Sequence, residues 1–262
     1  MMNYPYHLIS VFTKEPHFLG NISAVVELPQ EISSKEMQQI ANDLNQPAST
    51  FIWKENDTWR VRWFAPDAEI ELCGHGAAAA ICFLAEKSNH SFTLKSRQNS
   101  ISGKVNNNIF SIELPIGKVE KAIPPIQKLE EALGVSIKEY LPTNDKDIVL
   151  LEKEQDLREM NPNFSWLKKL TPFGYAVTAK GDAVDFVSRT LVPKVQQLED
   201  HATGSSHTVL LPYWKEKLHK NQLTAKQLSP RGGFFSCSVK EKVVVLSGGY
   251  KKLASGIVLV AI

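Results

Sequence analysis

Apolar and polar residues alternate with a period of two over residues 59–64, where Val61 and Trp63 alternate with Arg60 and Arg62. That period predicts a half-buried strand, and residues 7–13, 22–28 and 50–54 read the same way. Between them the period lengthens. Met37, Ile40, Ala41 and Leu44 recur at helical spacing, and Ser33 with Glu36 three residues later has the spacing of a capping box, so an amphipathic helix over 37–44 covers a sheet. The pair Asn56-Asp57 between two strand patterns predicts a hairpin turn. Past Gly76 the pattern changes again. Ala77 to Ala80 with Ile81, Phe83 and Leu84 form a slim, uniformly apolar helix, which can only be buried.

Glu113-Leu114-Pro115 ends a strand, Ile123-Pro124-Pro125 breaks the pattern, and a short helix over 126–133 follows with Gly134 as its C-cap. These breaks put a domain boundary near residue 118, giving domains 1–118 and 119–262, with the last strands allowed to cross back to the first domain. In the second half, strands are expected at 148–151, 175–179, 183–188, 233–240, 243–247 and 257–260. A short helix is expected at 165–170 and a central one at 204–218. Gly232-Gly233 and Gly248-Gly249 read as tight turns between late strands.

The chemistry concentrates where the two apolar helices start. Cys73-Gly74-His75-Gly76 places a thiol and an imidazole at the first, and glycines there let a ligand approach the backbone. Asp200-His201-Ala202-Thr203-Gly204-Ser205-Ser206-His207 leads into the second, and Gly74 and Gly204 stand 130 positions apart, about half the chain. A helix N-terminus carries unpaired N–H groups and a partial positive charge, so it binds anions and activates a nearby thiol. Two such ends in two equivalent halves suggest a carboxylate or phosphate ligand held between two domains. Cys73 is a candidate acid/base thiol and His75 a candidate donor or proton carrier. Cys82 and Cys237 sit in apolar patterns and read as core, and His207 reads as structural.

Composition narrows the function. A net charge of +2 and the mixed-sign tract 215–220 make that tract a solvated helix end rather than a nucleic-acid surface. No run of about 18 apolar residues suggests a membrane span, and the first residues lack a signal pattern, so a cytoplasmic location is expected. Three cysteines suggest reduced thiols. There is no Gly-x-Ser-x-Gly elbow, phosphate loop or Cys-x-x-Cys pair, and no metal or cofactor is expected.

A resemblance runs nearly the length of the chain. Val11-Phe12-Thr13, Gly20-Asn21, the 37–41 helix with Asn45, Leu72-Cys73-Gly74-His75, Asp185-Phe186-Val187-Ser188-Arg189, Glu199-Asp200 with Thr203-Gly204-Ser205, Ser229-Pro230-Arg231-Gly232-Gly233 and Leu246-Ser247-Gly248-Gly249 stand in an order and spacing that resemble the PhzF-like phenazine-biosynthesis family. That family lies within the diaminopimelate-epimerase-fold superfamily. The resemblance implies an α/β (α+β) fold of two similar domains, each a curled, mostly antiparallel sheet around a central helix, with a ligand cleft between them. It implies a cofactor-independent isomerase or epimerase acting by proton transfer on a small amino- or hydroxy-carboxylate, often as a homodimer.

By the same resemblance Cys73 matches the first catalytic cysteine of diaminopimelate epimerases, while His75 and Asp200 match the active-site histidine and aspartate of the PhzF-like proteins. Asn21, Ser49, Gly74, Gly76, Gly204 and Ser205 fall at substrate-binding positions. The chain departs from the family where a glutamate shuttles the proton: in Asn45-Gln46-Pro47-Ala48-Ser49-Thr50-Phe51 that place is held by Ala48, whose methyl group moves no proton. Two outcomes are open. Cys73 acts as base, with His201 standing where epimerases carry their second cysteine, three residues before the helix glycine. Alternatively, the chain is a catalytically impaired homologue that binds a small anionic metabolite.

Overall fold

The computed structural model describes residues 2–88 and 91–260. It divides into two compact units, Met1–Leu114 with Ser247–Ile262, and Pro115–Leu246. Unit 1 runs β1 (Met2–Thr13), β2 (Asn21–Glu27), α1 (Ser34–Leu44), β3 (Ala48–Glu55), β4 (Thr58–Phe64), β5 (Glu69–Ile70), α2 (Gly74–Ala85), β6 (Phe92–Lys95), β7 (Ser100–Asn106) and β8 (Ile109–Pro115). Its sheet order is β1-β2-β3-β4-β6-β7-β8, with β5 paired to β4. The pairings are antiparallel except β2 with β3 and β4 with β6, the two places where a helix makes the crossover.

Unit 2 runs α3 (Gln127–Leu133), β9 (Glu139–Leu141), β10 (Lys146–Leu150), α4 (Glu154–Glu159), α5 (Phe164–Leu167), β11 (Gly174–Lys180), β12 (Phe186–Leu191), β13 (Glu199–Asp200), α6 (Gly204–Leu218), β14 (Gln222–Gln227), β15 (Gly233–Lys240) and β16 (Val243–Val260), the last strand continuing into unit 1. The order β9-β10-β11-β12-β14-β15 repeats the unit 1 scheme, with parallel pairs at β10/β11 and β12/β14. Each unit is thus a largely antiparallel sheet interrupted at two equivalent crossovers, and the second crossover carries the long apolar helix.

Each sheet buries both faces. In unit 1, α2 packs on β1, β2, β3 and β7, while Phe51, Trp53 and Phe64 meet Met37, Ile40 and Ala41 of α1 on the other face. The amphipathic pattern of α1 accounts for that contact. Each large side chain so buried is worth roughly 2 kcal/mol. Ser33 starts α1 as the sequence predicts: its hydroxyl accepts from the Glu36 N–H at 3.2 Å, and the Glu36 carboxylate accepts from the Ser33 N–H at 3.1 Å. In unit 2, α6 packs on β10, β11, β14 and β15, and Val149, Val177 and Leu191 meet Leu129, Leu133, Leu157 and Leu167 from α3, α4 and α5.

Asn56 and Asp57 make the predicted hairpin turn, both with positive φ. Gly232 also turns the chain, donating its N–H to the Ser229 carbonyl. Gly248-Gly249 does not. β16 passes straight through it, Gly249 pairs with Thr13, and a Cβ on Gly249 would stand 2.8 Å from the Thr13 carbonyl oxygen, so this glycine permits close strand approach. The separate strands expected at 243–247 and 257–260 are one. Residues 183–185 precede β12 rather than join it. There Asp185 accepts from the Thr224 N–H and hydroxyl and from Lys220.

Candidate active site

In unit 1 the chain reaches α2 through a clamp. Arg62 on β4, 4% exposed, donates Nε and Nη2 to the two carboxylate oxygens of Glu69 on β5, both at 2.7 Å. It also reaches Glu31 and the Ser34 hydroxyl at the start of α1. The fork holds the Glu69 carboxyl below its ordinary range, and pins the strand that delivers Cys73.

Cys73 is the N-cap of α2. Its Sγ accepts from the Gly76 N–H at 3.4 Å and lies 3.6 Å from Nδ1 and 3.8 Å from Nε2 of His75. Both side chains are buried, at 4% and 6% exposure. The glycine at 76 has a packing reason beside the one expected from sequence. A Cβ there would stand 2.6 Å from Thr50 Oγ1 and from Trp63 Cδ1, so the first turn of α2 lies directly on β3 and β4. Gly76 gives its N–H to the thiol, and Gly74 opens the helix beside it.

Beneath that turn, Thr50 and Ser23 share a hydrogen bond of 2.7 Å, and Ser23 donates to the Ala48 carbonyl at 3.0 Å. Strand alternation puts the Ala48 methyl on the Thr50 face, towards α2, and Ser49 on the opposite face with Phe51 and α1. The Ser49 hydroxyl is buried with no partner among the described residues. Asn21 is buried at the start of β2, its Oδ1 accepting from the Ile22 N–H at 3.0 Å. Unit 1 therefore brings Cys73, Gly74, His75 and Gly76 to one helix end, and turns the Ser49 side chain away from it.

Unit 2 uses the same clamp with different chemistry beyond it. Arg189 on β12 grips Glu199 on β13 at 2.8 Å through both Nε and Nη2, and bonds the Leu157 and Met160 carbonyls. Asp200 follows. One of its carboxylate oxygens accepts from the His201 N–H at 3.0 Å and the other from the Thr203 hydroxyl at 2.7 Å. Gln227 bonds the Asp200 carbonyl and the Thr203 N–H, fixing the loop from both sides. Since the Thr203 hydroxyl is turned to Asp200, α6 starts without a side-chain cap.

The imidazole of His201 is held below its ordinary pKa by burial, so it is neutral near pH 7, and its Nδ1 is buried with no partner among the described residues. Ser205 in the first turn of α6 accepts from Lys146 Nζ at 3.1 Å. His207 is structural: Nδ1 donates to the Thr203 carbonyl at 2.7 Å, the ring stacks on Phe235 at 3.9 Å, and burial pushes its pKa down to about 4. Burial raises the Cys82 and Cys237 thiols, as befits core groups. The Arg–Glu clamps and Lys146 were not among the sequence candidates. The repeat of arginine, then glutamate, then a glycine-opened helix in both halves was a legible signal for the clamps. Nothing local marked Lys146.

Among the described residues no helix is long and apolar enough to cross a membrane, and no group of three or more His, Cys, Asp or Glu side chains is placed to hold a metal ion.

Two units of this connectivity, each with its strands wrapped on an apolar helix whose N-terminus carries polar chemistry, define the diaminopimelate-epimerase class of folds. A hydroxyproline epimerase from Agrobacterium vitis shares that fold, with a TM-score of 0.61 at 10% identity over 98% of this chain and 91% of its own. Residues 9–249 match the family of phenazine biosynthesis-like proteins, PhzC/PhzF, and the chain belongs to that family. An uncharacterised isomerase of Pseudomonas aeruginosa is 34% identical over 97% of this chain and 98% of its own. The crystal structure of a PhzF-family protein from Enterococcus faecalis superposes with a TM-score of 0.90 at 35% identity, covering 99% of this chain and 100% of that one.

Proposed function

We infer that this protein is an isomerase that moves a proton on the carbon beside the carboxylate of a small amino- or hydroxy-carboxylate, without a metal or organic cofactor. One observation carries the reading: a buried thiol 3.6 Å from an imidazole, at the N-cap of a buried helix. A positive helix end and an adjacent imidazole are the surroundings in which thiolates form and take protons near neutral pH. Cys73 is the acid/base group and His75 its partner. Cys73 thereby replaces the glutamate that relatives are expected to carry where this chain has Ala48. In unit 2 we assign Asp200, Gly204 and Ser205 to ligand binding and His201, neutral with a free ring nitrogen, to a second proton-transfer role. The relatives named isomerases support the reaction class.

Incubation in D₂O with a panel of small carboxylates, followed by NMR, tests this. Deuterium should enter one panel member at its α-carbon, and Cys73→Ala should slow that exchange at least about 100-fold, the usual contribution of a general acid/base. Undiminished exchange in Cys73→Ala removes Cys73 from the reaction. Ala48 favours a second reading, a binder without turnover. In that case a panel member raises the melting temperature and none exchanges. The family resemblance also supports a homodimer. Sedimentation equilibrium tests the dimer.

A further inference from the structure

Unit 2 buries an ammonium group to which the proposed proton transfer assigns no role. Lys146 opens β10, and strand alternation turns it with Ile148 and Leu150 towards α6, whereas Val149 joins the cluster under α3, α4 and α5. Its stem lies over Gly174 of β11, where a Cβ would come within 3.3 Å of Lys146 Cγ and 2.7 Å of the Leu191 carbonyl oxygen. The Nζ bonds Asp145 Oδ2 at 2.7 Å and Ser205 Oγ at 3.1 Å, and stands 5.5 Å from the centroid of the half-exposed Phe173 ring.

The donors here outnumber the acceptors. An ammonium carries three N–H groups. Two are engaged, and the third has no acceptor among the described residues. Ser205 Oγ accepts from Lys146, and its own proton likewise has no acceptor among them. Lys146 is 7% exposed and Ser205 9%. The first turn of α6 adds N–H groups that no side chain caps. A cation beside a helix N-terminus opposes the helix dipole, and its one carboxylate partner, Asp145, is one-third exposed. All of these groups converge on what an anion would need.

We propose that Lys146 is a specificity-determining residue, binding a carboxylate of the ligand together with the Ser205 hydroxyl and the first-turn N–H groups of α6. The proposal rests on the isomerase reading for the class of ligand. Asp145 is then the internal carboxylate that neutralises Lys146 and competes with the ligand for it.

Malonate titrated into the full chain, followed by calorimetry and melting temperature with malonamide as the neutral control, tests it. Malonate alone should bind and raise the melting temperature. Lys146→Met should weaken malonate at least tenfold and Ser205→Ala by less, while Asp145→Asn should tighten it several-fold. A purely structural lysine would not produce that opposite pair of shifts. Equal malonate affinity in wild type and Lys146→Met, an equal response to malonamide, or no malonate binding to wild type overturns the proposal. Should Lys146→Met fail to fold, Asp145→Asn decides alone: tightening supports the proposal and unchanged affinity overturns it. Malonate binding that depends on Lys146, with no deuterium exchange on any carboxylate, would sink the isomerase reading and leave the anion seat standing.

Discussion

The N-termini of α2 and α6 are built by one device and finished differently. In both, an arginine on the preceding strand grips a glutamate on a two-residue strand, and the chain then turns into a glycine-opened, buried helix. Glu69 and Glu199 stand 130 positions apart, as do Gly74 and Gly204. Beyond the clamp, unit 1 has a thiol in the capping position with a histidine against it, whereas unit 2 leaves its helix uncapped and supplies hydroxyls and a buried lysine. A common scaffold thus presents a thiol and an imidazole at one helix end and hydroxyls with an ammonium group at the other.

The clamp is the most sensitive point of that comparison. Arg189→Met strands Glu199, which is 13% exposed, and two backbone carbonyls, and should cost about 4 kcal/mol. Arg62→Met strands Glu69, which is 33% exposed, and should cost about 3 kcal/mol. Urea unfolding measures both. Losses under about 1 kcal/mol would reduce the clamps to surface ion pairs.

Acid should bear next on both units, because burial lowers His7 in unit 1 as it does His201 and His207 in unit 2. His207 in unit 2 has a pKa near 4 when folded, against 6.5 for an ordinary imidazole. Below that ordinary value the unfolded chain therefore takes up a proton that the folded chain refuses. Its contribution is intact above about pH 6.5 and is lost progressively as pH falls towards 4, amounting to about 2 kcal/mol between pH 7 and pH 5. His201, lowered in the same direction, adds to the loss. Urea midpoints across that range should show it, and His207→Leu should flatten the dependence. An unchanged pH slope in that variant would clear His207 of the effect.

The smallest effect lies in unit 1 alone. Ser33→Ala removes the capping hydroxyl of α1 and should cost about 1 kcal/mol. Deuterium exchange should be untouched, because α1 lies on the sheet face opposite α2. A fall in exchange would mean that α1 helps to position Cys73.

The local features were legible in the order of the residues alone. The capping box of Ser33 and Glu36, the turn at Asn56-Asp57, the burial of the alanine-rich helix and the placing of Cys73 at its start all rest on neighbours a few residues apart, and all recur in the fold. The resemblance to PhzF-like proteins added the architecture. Other features needed the folded chain. Gly248-Gly249 looks like a turn in isolation and is strand only because β1 lies alongside it. Gly76 looks like an opening for ligand, and only the fold adds that Thr50 and Trp63 occupy the space a Cβ would take. Ser49 neighbours the alanine that replaces a glutamate, but alternation along β3 sends its hydroxyl to the other face. Lys146 meets Ser205 across 59 residues of chain. Periodicity and capping are local energies that the sequence by itself determines. Which side chain meets which across a sheet depends on strand register and on what else competes for the buried space, and only the tertiary structure decides that.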